Sequence, residues 1–279
     1  MKIIPLNDIN LIEDIRKTKK YKAYLVGGCV RDWYLKKKCF DIDITFKDYP
    51  IEIAKFLSEK FSFKYQEFKD FLTIRLISEN RRIDLATFRK EKYPYPASLP
   101  IIEVASSIEE DLKRRDFTVN SIAISLNDDT YMTVDPFGGI DDITNKKIRV
   151  LHQKSFIDDP TRIFRAIRFS KRFGWEIEKN TMDLIERDKK YIKELSKERI
   201  RNEIIKILQE DKCYEMLLMI KDLKLLDKNE FFDFDKEIDE IKDLDKRYLY
   251  IAQKNGIDFF EYYNFERKIK NEFKKQIKS

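Results

Sequence analysis

The chain has 279 residues, with 57 Lys or Arg against 51 Asp or Glu, a net charge of +6 and 39% charged residues. That length suits one large domain or two smaller ones, and no apolar run approaches the roughly 18 residues needed to span a bilayer. Three cysteines, Cys29, Cys39 and Cys213, without Cys-x-x-Cys spacing point to a reducing cytosol, and the basic excess favours a polyanionic partner over a membrane.

In chain order, residues 3–19 read as an entry helix and Ala23–Val26 as a buried strand. The glycine pair Gly27-Gly28 ends that strand, and Trp33, Tyr34 and Leu35 suit a helix packed on a sheet. Asp41–Phe46 alternates as a strand should. Pro50 is placed to start a helix over Ile51–Phe61, and three β-rich runs follow at Phe63–Phe68, Phe71–Ile77 and Arg82–Phe88. Pro94, Pro96 and Pro100 make Glu91–Ser107 a long loop. Ile108–Leu126 reads as helix, Tyr131–Val134 as strand, and Asp135-Pro136-Phe137-Gly138-Gly139 as a sharp junction. Ile140–Leu151 returns to turn and strand, and from Pro160 onward nearly everything reads as helix. The aromatic tail residues Phe259, Phe260, Tyr262, Tyr263 and Phe265 are expected in a core, with a nucleic-acid surface as the alternative. The basic stretch Phe265–Ser279 is a solvated helix face or a phosphate contact.

Side chains at i and i+2 on a strand share a face, so Asp41 and Asp43 bring two carboxylates to one point. Like charges so placed call for a cation, and hard oxygen ligands suit Mg²⁺. Bare backbone N–H groups at Gly27-Gly28, with Arg31 one turn along, suit a phosphate. The chain has only six glycines, and four of them form the pairs Gly27-Gly28 and Gly138-Gly139, which argues for specific backbone geometry. Asp84, on a later strand, offers a third carboxylate as general base or shared ligand. Three acids around two metal ions suit in-line displacement at phosphorus.

Further along, Arg114, Arg115, Asp116 and Asn120 fall close together, with Asp116 and Asn120 at i and i+4 on one helical face, a pair suited to a ribose hydroxyl. After Pro160, Arg162, Arg165, Arg168 and Arg172 occupy about a third of one helix circumference with no alternating acid. Ile163, Phe164 and Ile167 lie on another side. Asp159 beside Arg162 accepts from an amino group and donates to a ring nitrogen, the pattern shown by cytosine and adenine but not by uracil or guanine. The single histidine, His152, has no second histidine to join it at a zinc site, any Ser-His-Asp triad would have to be built around it, and it reads as a polar residue near a strand end.

The segments Leu25-Val-Gly-Gly-Cys-Val-Arg-Asp32, Asp41-Ile-Asp-Ile44, Arg114-Arg-Asp-Phe-Thr-Val-Asn-Ser-Ile-Ala123, Asp135-Pro-Phe-Gly-Gly139 and Asp159-Pro-Thr-Arg-Ile-Phe-Arg-Ala-Ile-Arg-Phe169 resemble, in order and spacing, the motifs of class II tRNA nucleotidyltransferases and bacterial poly(A) polymerases. The resemblance covers about residues 20–210. It implies an α+β fold, a polymerase-β-like nucleotidyltransferase head with a mixed sheet, followed by an all-helical neck and a short body and tail. The expected divisions are 1–138 for the head, 139–210 for the neck and 211–279 for the body and tail. By the same resemblance Asp41 and Asp43 match metal ligands, Gly28 and Arg31 triphosphate contacts, and Arg115, Asp116 and Asn120 the ribose segment. Asp159, Arg162, Arg165 and Arg168 match a base-selecting neck helix, which Ser196–Glu203 buttresses. Family members usually carry glutamate at the position of Asp158.

The activity implied is Mg²⁺-dependent addition of CTP- or ATP-derived nucleotides to a tRNA 3′ end, as CCA or A addition. CC addition and poly(A) synthesis by the same family are the alternatives, and a non-RNA adenylyltransferase or a non-catalytic RNA-binding protein are the more distant ones. Family body and tail domains normally extend well past residue 279, so tRNA grip is expected to be reduced or shared with a second copy or a helper protein.

Overall fold

A computed structural model describes residues 9–18, 21–39, 41–79, 81–127, 131–227, 231–256 and 258–265. Of the basic end expected to face solvent or phosphate, residues 266–279 lie outside the described residues, as do residues 3–8 of the expected entry helix. The chain divides into two compact units, Met1–Pro94 with Leu99–Leu151, and Tyr95–Ser98 with His152–Ser279.

The first unit is built on a mixed seven-stranded sheet. Its elements are α1 (Ile9–Lys17), β1 (Ala23–Val26), α2 (Gly28–Tyr34), β2 (Asp41–Phe46), α3 (Ile51–Phe61), β3 (Lys64–Phe68), β4 (Thr73–Ser78), β5 (Arg81–Thr87), β6 (Arg89–Lys92), β7 (Ile101–Val104), α4 (Ile108–Lys113), β8 (Ala123–Ser125), β9 (Thr133–Val134) and α5 (Gly139–Thr144). The sheet order is β3-β4-β5-β2-β1-β8-β9, and β2 runs parallel to β5. Strand β1, Ala-Tyr-Leu-Val, is buried along its whole length: β2 and β8 pair with both its edges, and Tyr24 and Val26 pack in a cluster with Phe88, Ile108 and Leu112. In β2 the alternation works as read: Ile42 and Ile44 are 2% and 1% exposed, which leaves Asp41 and Asp43 on the other face.

Three expectations are corrected. The Glu91–Ser107 loop contains an antiparallel hairpin, β6 with β7, whose cross-strand pairs include Lys92–Glu103 at 2.6 Å. A strand reading Arg-Lys-Glu-Lys has no apolar alternation to reveal it, and the prolines fall in the connection between the strands. The helix expected over Ile108–Leu126 stops at Lys113. Phe117 then bridges to Val150, Thr118–Asn120 make one 3₁₀ turn, and Ala123–Ser125 pair with β1. Finally, Ile140–Leu151 begins in helix α5 rather than in turn and strand, because the Asp135 carboxylate accepts from Gly139 N and Ile140 N at 2.7 and 2.9 Å and caps it.

The second unit is helical, comprising α6 (Ser155–Asp158), α7 (Thr161–Phe173), α8 (Lys179–Asp188), α9 (Lys197–Leu208), α10 (Cys213–Asp222), α11 (Leu244–Asn255) and α12 (Asp258–Tyr262). Helix α7 is its axis, packed on α9 and α10, with Ile163, Phe164 and Ile167 all fully buried. Four of the five expected aromatic tail residues are core: Phe259, Phe260, Tyr263 and Phe265 are at most 5% exposed and meet edge to face, whereas Tyr262 is half-buried with Lys197 over its ring. Arg247, 2% exposed, donates to the carbonyls of Leu208, Glu210 and Ile241, satisfying the end of α9 from outside the helix.

Two glycines make the packing testable. A Cβ at Gly139 would stand 2.3 Å from the Thr118 carbonyl oxygen, whereas one at Gly174 would meet nothing within 4 Å and strain only its φ of +67°. Gly139→Ala should therefore cost about 3 kcal/mol or more and Gly174→Ala about 1 kcal/mol, read as shifts of the urea midpoint.

Candidate active site

The acidic face of β2 is set by register. Asp43 lies opposite Val26 on β1 and level with Asp84 on β5, so the two aspartates sit on adjacent parallel strands. Burial pushes the Asp43 carboxyl up to about 6. Arg115 opposes the rise, Asp84 adds to it, Arg82 opposes it and Asp41 adds to it. Asp84 is less free than its neighbours, since Arg75 donates to both of its oxygens at 2.7 and 3.1 Å and Arg82 stands 3.2 Å away. Among the described residues no group of three or more His, Cys, Asp or Glu is arranged to hold a metal ion by itself.

Gly27 turns the chain from β1 into α2 with φ +77° and ψ −148°, a conformation that favours glycine. Its bare face is where the charges meet: a Cβ there would be 3.0 Å from both Arg115 Nη1 and Asp43 Oδ2. Gly28 opens α2, and a Cβ on it would be 3.3 Å from Arg31 Nη2.

Arg31 belongs to a buried polar chain. Its Nε and Nη2 donate to Asp32 Oδ1 at 2.9 and 2.8 Å, and Nη1 donates to Asn120 Oδ1 at 2.6 Å. Asn120 Nδ2 in turn donates to Asp116 Oδ1 at 2.9 Å. The expected pairing of Asp116 with Asn120 is thus made, but across a bridge and a 3₁₀ turn instead of along a helix face. Both ends of the Asn120 amide are fixed by unlike partners, which determines its orientation.

Arg114 and Arg115 are held by a residue that sequence reasoning passed over. Asp111, fully buried, accepts from Arg114 Nε and Nη2 at 3.1 Å, from Arg115 Nη2 at 2.9 Å and from Arg89 N at 3.1 Å. Arg114 Nη1 also donates to Glu91 at 2.9 Å, so Arg114 is spent on two carboxylates while Arg115 faces Gly27. Burial alone would raise Asp111, but the two guanidiniums pull it down to about 2. The i, i+3 and i+4 spacing of Asp111 to the arginines was the available signal. No comparable signal existed for Arg75, which reaches Asp84 only through β4–β5 pairing.

Within the second unit, Asp159 and Arg162 are not bonded side chain to side chain. Asp159 Oδ1 accepts from Thr161 N, Thr161 Oγ1 and Arg199 Nη2 at 3.0, 2.6 and 2.7 Å, while Arg162 Nη1 donates to Ser155 Oγ at 2.8 Å. Each is therefore oriented by a partner of its own. The acids missing from the arginine stripe come from beyond it: Arg168 lies 3.8 Å from Glu203 and from Glu210, and Arg172 pairs with Glu210. Arg165 stands over the Phe169 ring at 5.3 Å. Arg162 and Arg168 are buried, 4% and 7% exposed, while Arg165 is half-buried and Arg172 exposed, so the stripe is solvated only towards its C-terminal end.

The raised Asp43 carboxyl has a stability consequence. It ionises near 3.8 when unfolded and near 6 when folded, so its cost grows between those pH values and is complete above them. In a chelating buffer Asp43→Asn should be more stable than the parent above pH 7, by at most about 3 kcal/mol, and equal to it below pH 4. Urea denaturation across pH 4–8 measures this.

Residues 23–149 match the family described as poly A polymerase head domain, and residues 174–229 match the probable RNA and SrmB-binding site of polymerase A. The chain is 40% identical over 209 residues to the A-adding tRNA nucleotidyltransferase of Aquifex aeolicus (strain VF5), covering 74% of this chain and 25% of that protein. It therefore spans about a quarter of that relative's length. Among solved structures it is similar to a CCA-adding enzyme in apo form II, with 30% identity and a TM-score of 0.81 over 98% of this chain and 71% of the other. A tRNA nucleotidyltransferase complexed with a primer tRNA and an incoming ATP analog gives 33% identity and a TM-score of 0.70 over 90% and 73%. A mixed head sheet carrying an acidic strand beside a glycine turn, with this likeness running through both units, makes the chain a member of the class II tRNA nucleotidyltransferase and bacterial poly(A) polymerase family.

Proposed function

We propose that the protein adds CTP- or ATP-derived nucleotides to the 3′ end of tRNA by phosphoryl transfer, as CCA or A addition, in a reducing cytosol. The observation that carries this reading is the Asp43 carboxyl, raised beside Asp41 and Asp84 and facing Arg115 across Gly27. A carboxyl raised by burial beside two further acids is one that a divalent cation holds in its ionised form, so the residues fit Mg²⁺. Asp41 and Asp43 would hold it, with Asp84 as the third carboxylate of the set. Substrate phosphates and water would supply its remaining ligands. When bound, Mg²⁺ supplies charge neutralisation of the triphosphate and acidifies the primer hydroxyl.

The chain's own residues supply the rest. Gly27 and Gly28 leave room for the triphosphate to approach the backbone, and Arg115 presents guanidinium N–H groups to it. Arg31, the proposed triphosphate contact of α2, is fixed by Asp32 and also holds the Asn120–Asp116 pair, which would meet the ribose. Arg114 belongs to the same nucleotide-binding segment and acts from behind through Asp111. In the second unit, a neck from 139 to 210 would carry base selection. Asp159 Oδ2, the oxygen its three hydrogen bonds leave open, accepts the amino group of cytosine or adenine, and Arg162 donates to the ring nitrogen. Arg165 and Arg168 keep that helix positively charged. Residues 211–279 are the proposed body and tail for tRNA contact, alone or with a second copy or helper protein.

Asp41→Ala or Asp43→Ala should lower nucleotide incorporation by at least about 1,000-fold while tRNA binding stays nearly unchanged. Retained turnover would remove the metal assignment. Asp159→Ala should bring incorporation of CTP or ATP within about 10-fold of GTP and UTP, and an unaltered preference would count against base selection. Offering tRNA ending before C, after C and after CC with each nucleotide in turn, then sequencing the products, tests the activity itself and separates CCA, CC, A and poly(A) addition.

A further inference from the structure

Two adjacent arginines, Arg114 and Arg115, lead out of α4, and their surroundings divide them sharply. Arg114 uses Nε, Nη1 and Nη2 on Asp111 and Glu91. Arg115 rests on Asp111 through Nη2 alone, at 2.9 Å. Its Nε is buried without a hydrogen-bond partner, and its Nη1 lies over the bare face of Gly27 beside Asp43. An unsatisfied buried N–H is costly unless some ligand completes it. Here the guanidinium leaves Nη1 facing the Gly27 turn, where its N–H groups can donate to phosphate oxygens.

We propose that Asp111 is a positioning residue: its buried carboxylate fixes Arg114 in the framework and aims the Nη1 end of Arg115, across Gly27, at the phosphates of the bound nucleotide. The proposal rests on the nucleotide-binding reading above. Three features support the aiming. Asp111 is fully buried, so its two oxygens cannot swing out to solvent. They are used separately, Oδ1 for Arg114 and Arg89 N and Oδ2 for Arg115, so the two guanidiniums do not compete for one acceptor. The two guanidiniums beside it also keep Asp111 ionised at any pH near neutrality. A lysine in place of Arg115 has one nitrogen and cannot rest on Asp111 with it while presenting a second nitrogen to phosphate.

The test measures inorganic pyrophosphate binding by calorimetry in Mg²⁺ together with steady-state incorporation on tRNA lacking its 3′ end. Asp111→Asn should raise both the pyrophosphate Kd and the KM for ATP or CTP about 10-fold, with kcat changed less than about 3-fold. Asp111→Glu should recover most of the loss. In an Arg115→Ala background, Asp111→Asn should add less than about 2-fold, because the residue it aims is already gone. Equal losses in both backgrounds, or a fall in kcat and thermal midpoint with Kd and KM unchanged, would reduce Asp111 to a purely structural residue and overturn the proposal. Arg115→Lys gives an arm that does not depend on how Asp111→Asn folds: it should bind pyrophosphate as weakly as Arg115→Ala, and full binding by the lysine variant would also overturn it. Coupling in pyrophosphate binding without incorporation would keep the aiming and remove the transfer reading. Incorporation without coupling would do the reverse, and a parent protein that binds no pyrophosphate would remove both.

Discussion

Negative charge concentrated on one face of β2 is the constraint around which the first unit is organised. Pairing in register leaves no choice in the matter, since Asp43 must lie level with Asp84 once β2 and β5 align. Two like charges at about 5 Å repel by about 3 kcal/mol at an effective dielectric near 20. The arginines around them read as the response. Arg75 and Arg82 hold Asp84, and Arg115 stands near Asp43. Arg114 and Arg115 are themselves tied to Asp111, so acid and base alternate outward from the strand into the core.

The parts of this arrangement that could be read from the chain alone were the local ones. The alternation of Asp41-Ile-Asp-Ile, the proline before α3 and the glycine at the end of β1 each act within a few residues, and each appears where its chemistry places it. What escaped was decided by partners distant in sequence. Strand β6 of the hairpin is all charged and shows no hydrophobic pattern, and β8 is a strand because it pairs with β1, whatever helical spacing its residues share with α4. The link from Arg75 to Asp84 follows from β4–β5 register, which no spacing rule supplies. At the site, the residue types were legible and their division of labour was not. Adjacent arginines look alike until Asp111 and Glu91 are placed beside one of them.

The second unit shows the same logic with the signs exchanged. Arg162 and Arg168 are buried on α7, and Glu203 on α9 with Glu210 just beyond it provide the compensating acids. Burial lowers the Arg168 pKa and Glu203 opposes that drop, which keeps the helix cationic away from water. Arg247 from α11 satisfies carbonyls at the end of α9, so the aromatic tail and the arginine helix are mechanically joined through α9.

The parallel pairing of β2 with β5 also orders events in folding. Parallel neighbours require a long crossover, here residues 47–80 with α3 and the β3–β4 hairpin inside it. Asp43 and Asp84 become neighbours only after that crossover has closed, and non-local closure of this kind comes late in a chain's descent to the native state. The nascent chain therefore carries its aspartates apart, without mutual repulsion and without a preformed place for a cation. The acidic face shared by β2 and β5 is therefore complete only when the sheet itself is complete.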